Sequence, residues 1–349
     1  GSFMLRPLSP SRHWKEAATL ILAAGRGRGF TPRPPSLFDY DVLLLKRSGK
    51  SGFMPNAYVF PGGVVDASDF SSEWLDIFRS FTNSPTFGLR SVKQHLETRP
   101  PIFATDRLKL GSPIPGEVAL RICALRETFE ESGVLLVAPK IEEKKMLKNI
   151  KDFELQVLPN IWALHEWGNW LTPASRYGTT RFDTAFFICC LQEIPHTLQD
   201  DKEIERFQWS TPSEILQSYQ AQKLWIAPPQ FYELSRLCRF PLLNDLHNFA
   251  SQRATAGCEQ WMPVVVSNDE HLISLLPGDK LYPVDSPRDS EAAKNTVPPS
   301  KDHQDASPLH RIVISDRYTL RLQITITPKY NHVLPVAHSA VSHDSKSQL

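Results

Sequence analysis

Hydrophobic and polar positions along this chain follow two rhythms. Residues 17–24 and 41–46 and residues 181–191 are almost unbroken apolar runs of strand length, so each predicts a buried strand, with 181–191 in a central place. Residues 205–209 predict a shorter strand. Over residues 117–131 the period changes to that of a helix. At about 100° per residue, Glu127, Glu130 and Glu131 fall within roughly a 100° arc, while Ile122, Leu125 and Phe129 fall nearly opposite, on the side expected to face the core. Gly133 follows, where a helix can end in a left-handed residue, and residues 134–137 resume a strand-like apolar run. Ser210, Thr211 and Pro212 predict a helix to residue 220 by N-capping and a first-turn proline. Pro228 and Pro229 introduce a helix around 230–238, and 243–253 is a further one. Residues 311–315 and 318–327 predict a hairpin turning at Asp316 and Arg317.

Between these elements the chain is irregular. The Gly/Pro/Arg-rich stretch 25–35 is a loop, and the turn-rich residues 52–58 lead through Val59, Phe60 and Pro61 to Gly62 and Gly63. Paired glycines after a strand permit backbone shapes and close ligand approach that other residues forbid. Residues 66–115 read as an insertion carrying a short helix at 74–81, and 141–153 as a charged helical stretch. Trp162, Trp167 and Trp170, with His165, read as core aromatics without a chemical role. Residues 284–308 are dense in Ser, Asp, Lys and Pro and read as a disordered loop.

Charge and cysteine usage narrow the function. Lys and Arg number 39 against 38 Asp and Glu, so no basic excess marks the chain for nucleic acid or an anionic membrane, and any phosphate site must be local. The longest apolar runs are far short of the roughly 20 residues of a membrane helix. The five cysteines include no C-x-x-C pair, which argues against a zinc site or a disulfide framework and for a reducing compartment. Gly1, Ser2 and Phe3 ahead of Met4 read as a remnant of expression.

The candidate chemistry lies in Glu127, Glu130 and Glu131. Two carboxylates about 6 Å apart repel by roughly 3 kcal/mol at an effective dielectric of 20, so three on one helix face are unfavourable unless a cation shares them. An all-oxygen set favours Mg²⁺ or Mn²⁺, completed by water and substrate phosphate. Arg126 can pair with one of the acids and hold its rotamer.

Gly62-Gly63 followed by Arg126-Glu127-x-x-Glu130-Glu131-x-Gly133-Val134 resembles the Nudix hydrolases, whose box is G-x5-E-x7-R-E-U-x-E-E-x-G-U with U aliphatic. Thr128 departs from one U position. The first half of the box is either Gly63 with Asp69, separated from Arg126 by the insertion, or a restart at Gly111 with Glu117 one residue too early. Leu43 to Ser48 leading to Phe60-Pro61-Gly62-Gly63 is similar to the motif that precedes the box in Nudix enzymes acting on coenzyme A, although Gly52 and Asn56 stand where that motif has Arg and Gly.

The resemblance implies an α+β protein with the Nudix fold, an α/β/α sandwich around a mixed sheet, over 14–240, with a helical and hairpin extension over 241–335 and a flexible tail over 336–349. It implies Mg²⁺-dependent hydrolysis of the diphosphate of coenzyme A and acyl-coenzyme A to 3′,5′-ADP and (acyl-)4′-phosphopantetheine. Removal of nucleotide caps from RNA, or hydrolysis of another nucleoside diphosphate derivative, is the alternative activity, and a non-catalytic Nudix binding module a remote one. In that reading Glu127 and Glu131 hold the metal, and Glu130 is a further ligand or positions water. Arg126 orients the acids, the loop from Phe60 through Gly62 and Gly63 approaches the diphosphate, and Arg47 or Arg181 meets a phosphate. The helices after residue 210 are expected to cap the site. The chain ends Ser347-Gln348-Leu349, similar to the Ser-Lys-Leu peroxisomal address, which implies an import receptor as partner and the peroxisomal matrix as location.

Overall fold

A computed structural model describes residues 14–27, 36–52, 54–139, 157–173, 180–195, 207–284 and 307–336. The readings of a helix at 141–153, a disordered loop at 284–308 and a targeting tail fall wholly or almost wholly outside these residues. In chain order the strands are β1 (Trp14–Gly25), β2 (Tyr40–Lys46), β3 (Tyr58–Val59), β4 (Gly62–Val64), β5 (Val137–Pro139), β6 (Val157–Pro159), β7 (His165–Leu171), β8 (Arg181–Leu191), β9 (Phe207–Ser210), β10 (Gln260–Trp261), β11 (Val264–Ser267), β12 (Leu272–Leu275), β13 (His310–Asp316) and β14 (Thr319–Ile324). The α-helices are α1 (Glu73–Ile77), α2 (Pro101–Ala104), α3 (Gly116–Ser132), α4 (Pro212–Gln220), α5 (Pro228–Leu237) and α6 (Leu243–Arg253).

The continuous apolar runs become the middle of a mixed sheet with strand order β10-β7-β8-β1-β2-β3, in which β4 also pairs with β1 and β9 with β2. β1 and β8 run parallel over Trp14↔Arg181 to Ala24↔Leu191, while β2 and β4 meet different halves of β1 in antiparallel register. Their side chains alternate between two cores, which is why these strands show no polar face. Leu20, Leu22, Leu43, Phe187 and Cys189 face α3 and the insertion. Ile21, Ala23, Val42, Leu44 and Ile188 face α4, α5 and α6. This is the expected α/β/α sandwich, with one difference of placement. The three helices after residue 210 cover the sheet face opposite α3 and its glutamates, because their apolar residues Ile215, Phe231, Leu234 and Leu246 are buried against that second core. They do not cap the site. The first of them starts as its sequence foretold, with a capping box between Thr211 and Glu214 and Pro212 in its first turn.

The expected hairpin is half of a larger structure. β13 and β14 pair as foreseen, but β12 pairs with β13 and β11 with β12, giving a four-stranded antiparallel sheet. β11 and β12 are four residues each, and their formation rests on pairing with β13 across a long sequence separation more than on any local pattern. A third apolar cluster of Trp14, Leu171, Met262, Val264 and Ile273 joins this sheet to the base of β1 and β7, and a buried Arg311–Asp279 pair with two 2.8 Å bonds fixes β13.

The insertion 66–115 is packed down, not loose. Phe70, Phe78, Phe87 and Phe103 enter the α3-side core, and two buried arginines fasten it by charge. Arg107 pairs with both oxygens of Glu16 on β1. Arg99, only 4% exposed, donates to Glu166 of β7 at 2.9 and 2.7 Å and to Glu117 of α3 at 2.6 Å. Removing one member of such a buried pair leaves an uncompensated charge, at a cost of roughly 3–5 kcal/mol. Arg99→Met should therefore lower the midpoint of thermal unfolding markedly, and the double variant with Glu166→Gln should recover part of the loss. Calorimetry of the three proteins checks both.

Candidate active site

The site is built on the last turns of α3. Its buried stripe runs Val118, Arg121, Ile122, Leu125, Thr128 and Ser132, ending at Gly133 in the left-handed region with φ 74°. Thr128, whose hydroxyl donates to the Ala124 carbonyl at 2.7 Å, takes the place in the core that periodicity gave to Phe129. Phe129 is 45% exposed, because the stripe drifts away from its position by the final turn. Glu127, Glu130 and Glu131 share the outward side as expected.

Arg126 ties the glutamates to the rest of the fold. Its Nε and Nη2 donate to the two oxygens of Asp69 at 2.8 and 3.0 Å, its Nη1 to Glu127 at 2.8 Å and Glu130 at 3.2 Å, and its Nη2 also to the Val64 carbonyl at 3.2 Å. Asp69 is fully buried beneath it and closes a capping box with Asp66. The bonds to Asp69 come first in keeping the guanidinium charged. This contact decides where the interrupted motif begins. Gly63 and Asp69 belong to the site, whereas Glu117 lies in the first turn of α3, held by Arg99. The spacing of Asp69 from Gly63 is the signal in the sequence for this contact, but nothing in it shows that Asp69 meets Arg126.

Gly62 and Gly63 form strand β4, not an open loop. A side chain on Gly63 would place its Cβ 2.4 Å from the carboxyl carbon of Glu127, so the missing side chain makes the room in which that carboxylate stands. The Gly62 N–H points at Glu131 with a 3.4 Å separation. Phe60 is 2% exposed and packed in the core on the α4–α6 side, so its ring does not line the site. Arg181 also lies elsewhere. It is at the start of β8, 3.9 Å above the Trp14 ring and hydrogen-bonded to the Thr172 carbonyl at 3.3 Å, since parallel pairing sets Arg181 beside Trp14 at the far end of β1. Arg47 is brought in. It follows β2 and, with Lys46, Ser48 and Asn56, forms the wall of a groove of about 580 Å³ whose other side is Glu130 and Glu131.

Burial pushes the Glu127 carboxyl above its usual range against the pull of Arg126. Glu131 is open to solvent along the groove but walled by protein, and the loss of surrounding water, followed by the charge of Glu127, moves it from 4.5 up to about 7. Clustered oxygen donors whose negative charge is this costly fit a divalent cation. Among the described residues no group of three carboxyl, thiol or imidazole side chains is gathered tightly enough to enclose an ion. A site of one or two carboxylates completed by water and phosphate oxygens is the usual arrangement for Mg²⁺.

Comparison with known proteins gives this geometry its context. The family model for the NUDT19 Nudix domain matches residues 14–237, and that for the NUDT19 C-terminal domain matches residues 265–325. The chain belongs to the NUDT19 family of Nudix hydrolases. It is 46% identical to the acyl-coenzyme A diphosphatase NUDT19 of Xenopus laevis, over 97% of this chain and 99% of that protein. Identity is 45% to the protein of that name in Gallus gallus, with the same coverage, and 40% to that in Homo sapiens, over 96% of this chain and 97% of the other. Among solved structures, a Nudix hydrolase from Alicyclobacillus acidocaldarius aligns over 67% of this chain and 96% of its own with a TM-score of 0.45 and 22% identity. Nudix hydrolases generally use divalent metal cations. Among the described residues no helix is long and apolar enough to cross a membrane.

The raised pKa of Glu131 has a measurable consequence. Between 4.5 and about 7 the folded protein keeps a proton that the unfolded chain has lost, so the stability this proton brings is complete below 4.5 and disappears as pH rises toward 7. With chelator present, the unfolding midpoint of wild type should fall relative to Glu131→Gln across that window and run parallel to it above. Thermal unfolding of both proteins from pH 4.5 to 8 checks the sign.

Proposed function

We propose that this chain hydrolyses the diphosphate of coenzyme A and acyl-coenzyme A, giving 3′,5′-ADP and 4′-phosphopantetheine or its acyl form, with Mg²⁺ or Mn²⁺ as the cation. The observation that carries the reading is the Glu127–Glu130–Glu131 face, held to Asp69 by Arg126, with Glu130 and Glu131 lining one groove together with Arg47 and Lys46. The near full-length identity to proteins named acyl-coenzyme A diphosphatase supports this substrate class over other diphosphates.

Glu127 and Glu131 are the carboxylates that would hold the cation, with Glu130 as a further ligand or as the group that positions water. A bound divalent cation supplies neutralisation of diphosphate charge and activation of water for attack. The protein does the rest by position. Arg126 fixes the Glu127 carboxylate in the space left by Gly63, and this prepaid orientation lowers the cost of assembling the reacting groups. Arg47, whose guanidinium donates to Ser51 at 2.9 Å, stands across the groove where it can meet a phosphate oxygen, and its charge already counters that of Glu131. Phe60 contributes only by holding the strand that carries Gly62 and Gly63, and Arg181 takes no part.

Glu131→Gln should lower Mg²⁺-dependent turnover of acyl-coenzyme A by about a hundredfold or more while the unfolding midpoint stays near or above that of wild type, since loss of metal ligation costs on this scale. The assay compares kcat/KM for coenzyme A, acyl-coenzyme A, NADH, ADP-ribose and capped RNA. Near-normal turnover in the folded variant refutes the site, and a clear preference for capped RNA or NADH refutes the substrate.

The peroxisomal matrix is the location we propose, on the strength of the Ser347-Gln348-Leu349 ending and of a substrate that peroxisomes handle. Deleting these three residues from a fluorescently tagged chain should leave it in the cytosol. Import at the wild-type level in the same cells counts against an import receptor as partner.

A further inference from the structure

The insertion, α3, β7 and the end of α6 enclose a second cavity of about 220 Å³, lined by Arg90, Arg121, Trp162, His165, Glu166 and Thr255 among others. It shares no residue with the groove at Glu130 and Glu131. Arg121 stands six residues before Glu127, about 9 Å along the helix axis and roughly 120° around it. The walls of this cavity are rich in donors. Arg121 is 8% exposed, its Nε donates to the Leu164 carbonyl at 3.2 Å and its Nη1 to the Glu117 carbonyl at 3.1 Å, and its guanidinium lies 4.8 Å over the Phe187 ring. No described residue accepts from its Nη2.

Arg90 and His165 add donors, and the acids near Arg121 are already paired with Arg99. Arg90 is exposed and makes one long bond, 3.5 Å, to the Ser251 carbonyl. The His165 ring is 5.9 Å from that of His247. Glu166, the carboxylate on the wall, has both oxygens taken by Arg99, which also holds Glu117 nearby. The Nη2 of Arg121 keeps contact with solvent in the cavity, and because burial of the side chain works against its charge, an anion beside it is favourable.

We propose that this cavity is a binding site for a phosphate-class anion, separate from the hydrolytic groove. Two guanidiniums, from the insertion and α3, and the single N–H of the β7 imidazole, which burial and His247 keep uncharged, line the cavity, a set of donors that suits a phosphate-class oxyanion. Its occupant links the insertion to the turn that follows α6, where the Lys93 N–H already donates to the Thr255 carbonyl at 2.7 Å, and bears through Arg121 on the helix that carries the glutamates.

The test uses the full chain with chelator present, and compares thermal unfolding in inorganic phosphate and in chloride at equal ionic strength. Phosphate at tens of millimolar should raise the midpoint by roughly 2–4 °C for a site of millimolar affinity. The rise should persist in Glu131→Gln and be lost in Arg90→Gln/His165→Gln, which leaves the backbone bonds of Arg121 in place. Arg90→Gln alone, at an exposed position, should reduce it even if the double variant folds poorly. In a parallel arm with adenosine 3′-monophosphate, a larger rise at the same concentration assigns the site to a nucleotide's phosphate, and an equal rise assigns it to the free anion. Equal midpoints in phosphate and chloride, or a rise undiminished by the Arg90 and His165 substitutions, overturns the proposal.

Discussion

The guanidinium of Arg126 is the contact on which the site depends. It faces a buried Asp69, the carboxylates of Glu127 and Glu130, and the Val64 carbonyl, so one positive charge answers several negative groups brought from three elements. Without it, the glutamates of α3 and the buried Asp69 of the turn at Asp66 to Phe70 would face each other at short range in a partly dry environment, beside the unanswered Val64 carbonyl of β4. With it, the rotamers of Asp69 and Glu127 are fixed, and the negative charge left over is concentrated at the groove. Glu131, pushed up to about 7, marks where that excess lies. In the proposed reading a cation would answer the glutamates and a diphosphate would answer Lys46 and Arg47, which line the same groove as Glu130 and Glu131.

Around this contact the fold uses charge sparingly but at decisive places. The two cores on either side of β1, β2 and β8 are apolar and supply most of the driving force. The insertion, which interrupts the chemical motif between Asp69 and Arg126, is brought back by Arg107 on Glu16 and by Arg99 bridging Glu117 and Glu166. Buried ion pairs of this kind add little net stability compared with apolar contacts, yet they penalise every arrangement in which a partner is missing. They therefore select where the insertion lands. That placement is what allows residues 57 positions apart to share a bidentate bond.

The sequence determined the elements whose identity rests on local physics. Apolar runs too long and continuous for a half-exposed strand marked β1, β2 and β8, Thr211 and Pro212 marked a helix start, Gly133 marked a helix end, and the charge of three clustered glutamates marked the chemistry. Gly63 and Asp69 were legible as a pair by their spacing, but Gly111 and Glu117 had a rival claim, because an interrupted motif carries no local signal of which half joins which.

Only the tertiary structure decided the rest. Arg126 had to meet Asp69, and Arg99 Glu117, before the motif had one beginning. Arg181 has the composition of a phosphate ligand, yet strand register delivers it to Trp14, and Phe60 adjoins the glycines in sequence while alternation along the chain turns it into the opposite core. The stripe on α3 shifted from Phe129 to Thr128 because a neighbouring sheet, not an ideal helical wheel, sets which side is buried. Residue type and spacing state what chemistry is available. Which side chains share one solvent-poor space is set by pairings over long sequence separation, and these leave no trace in any short stretch of chain.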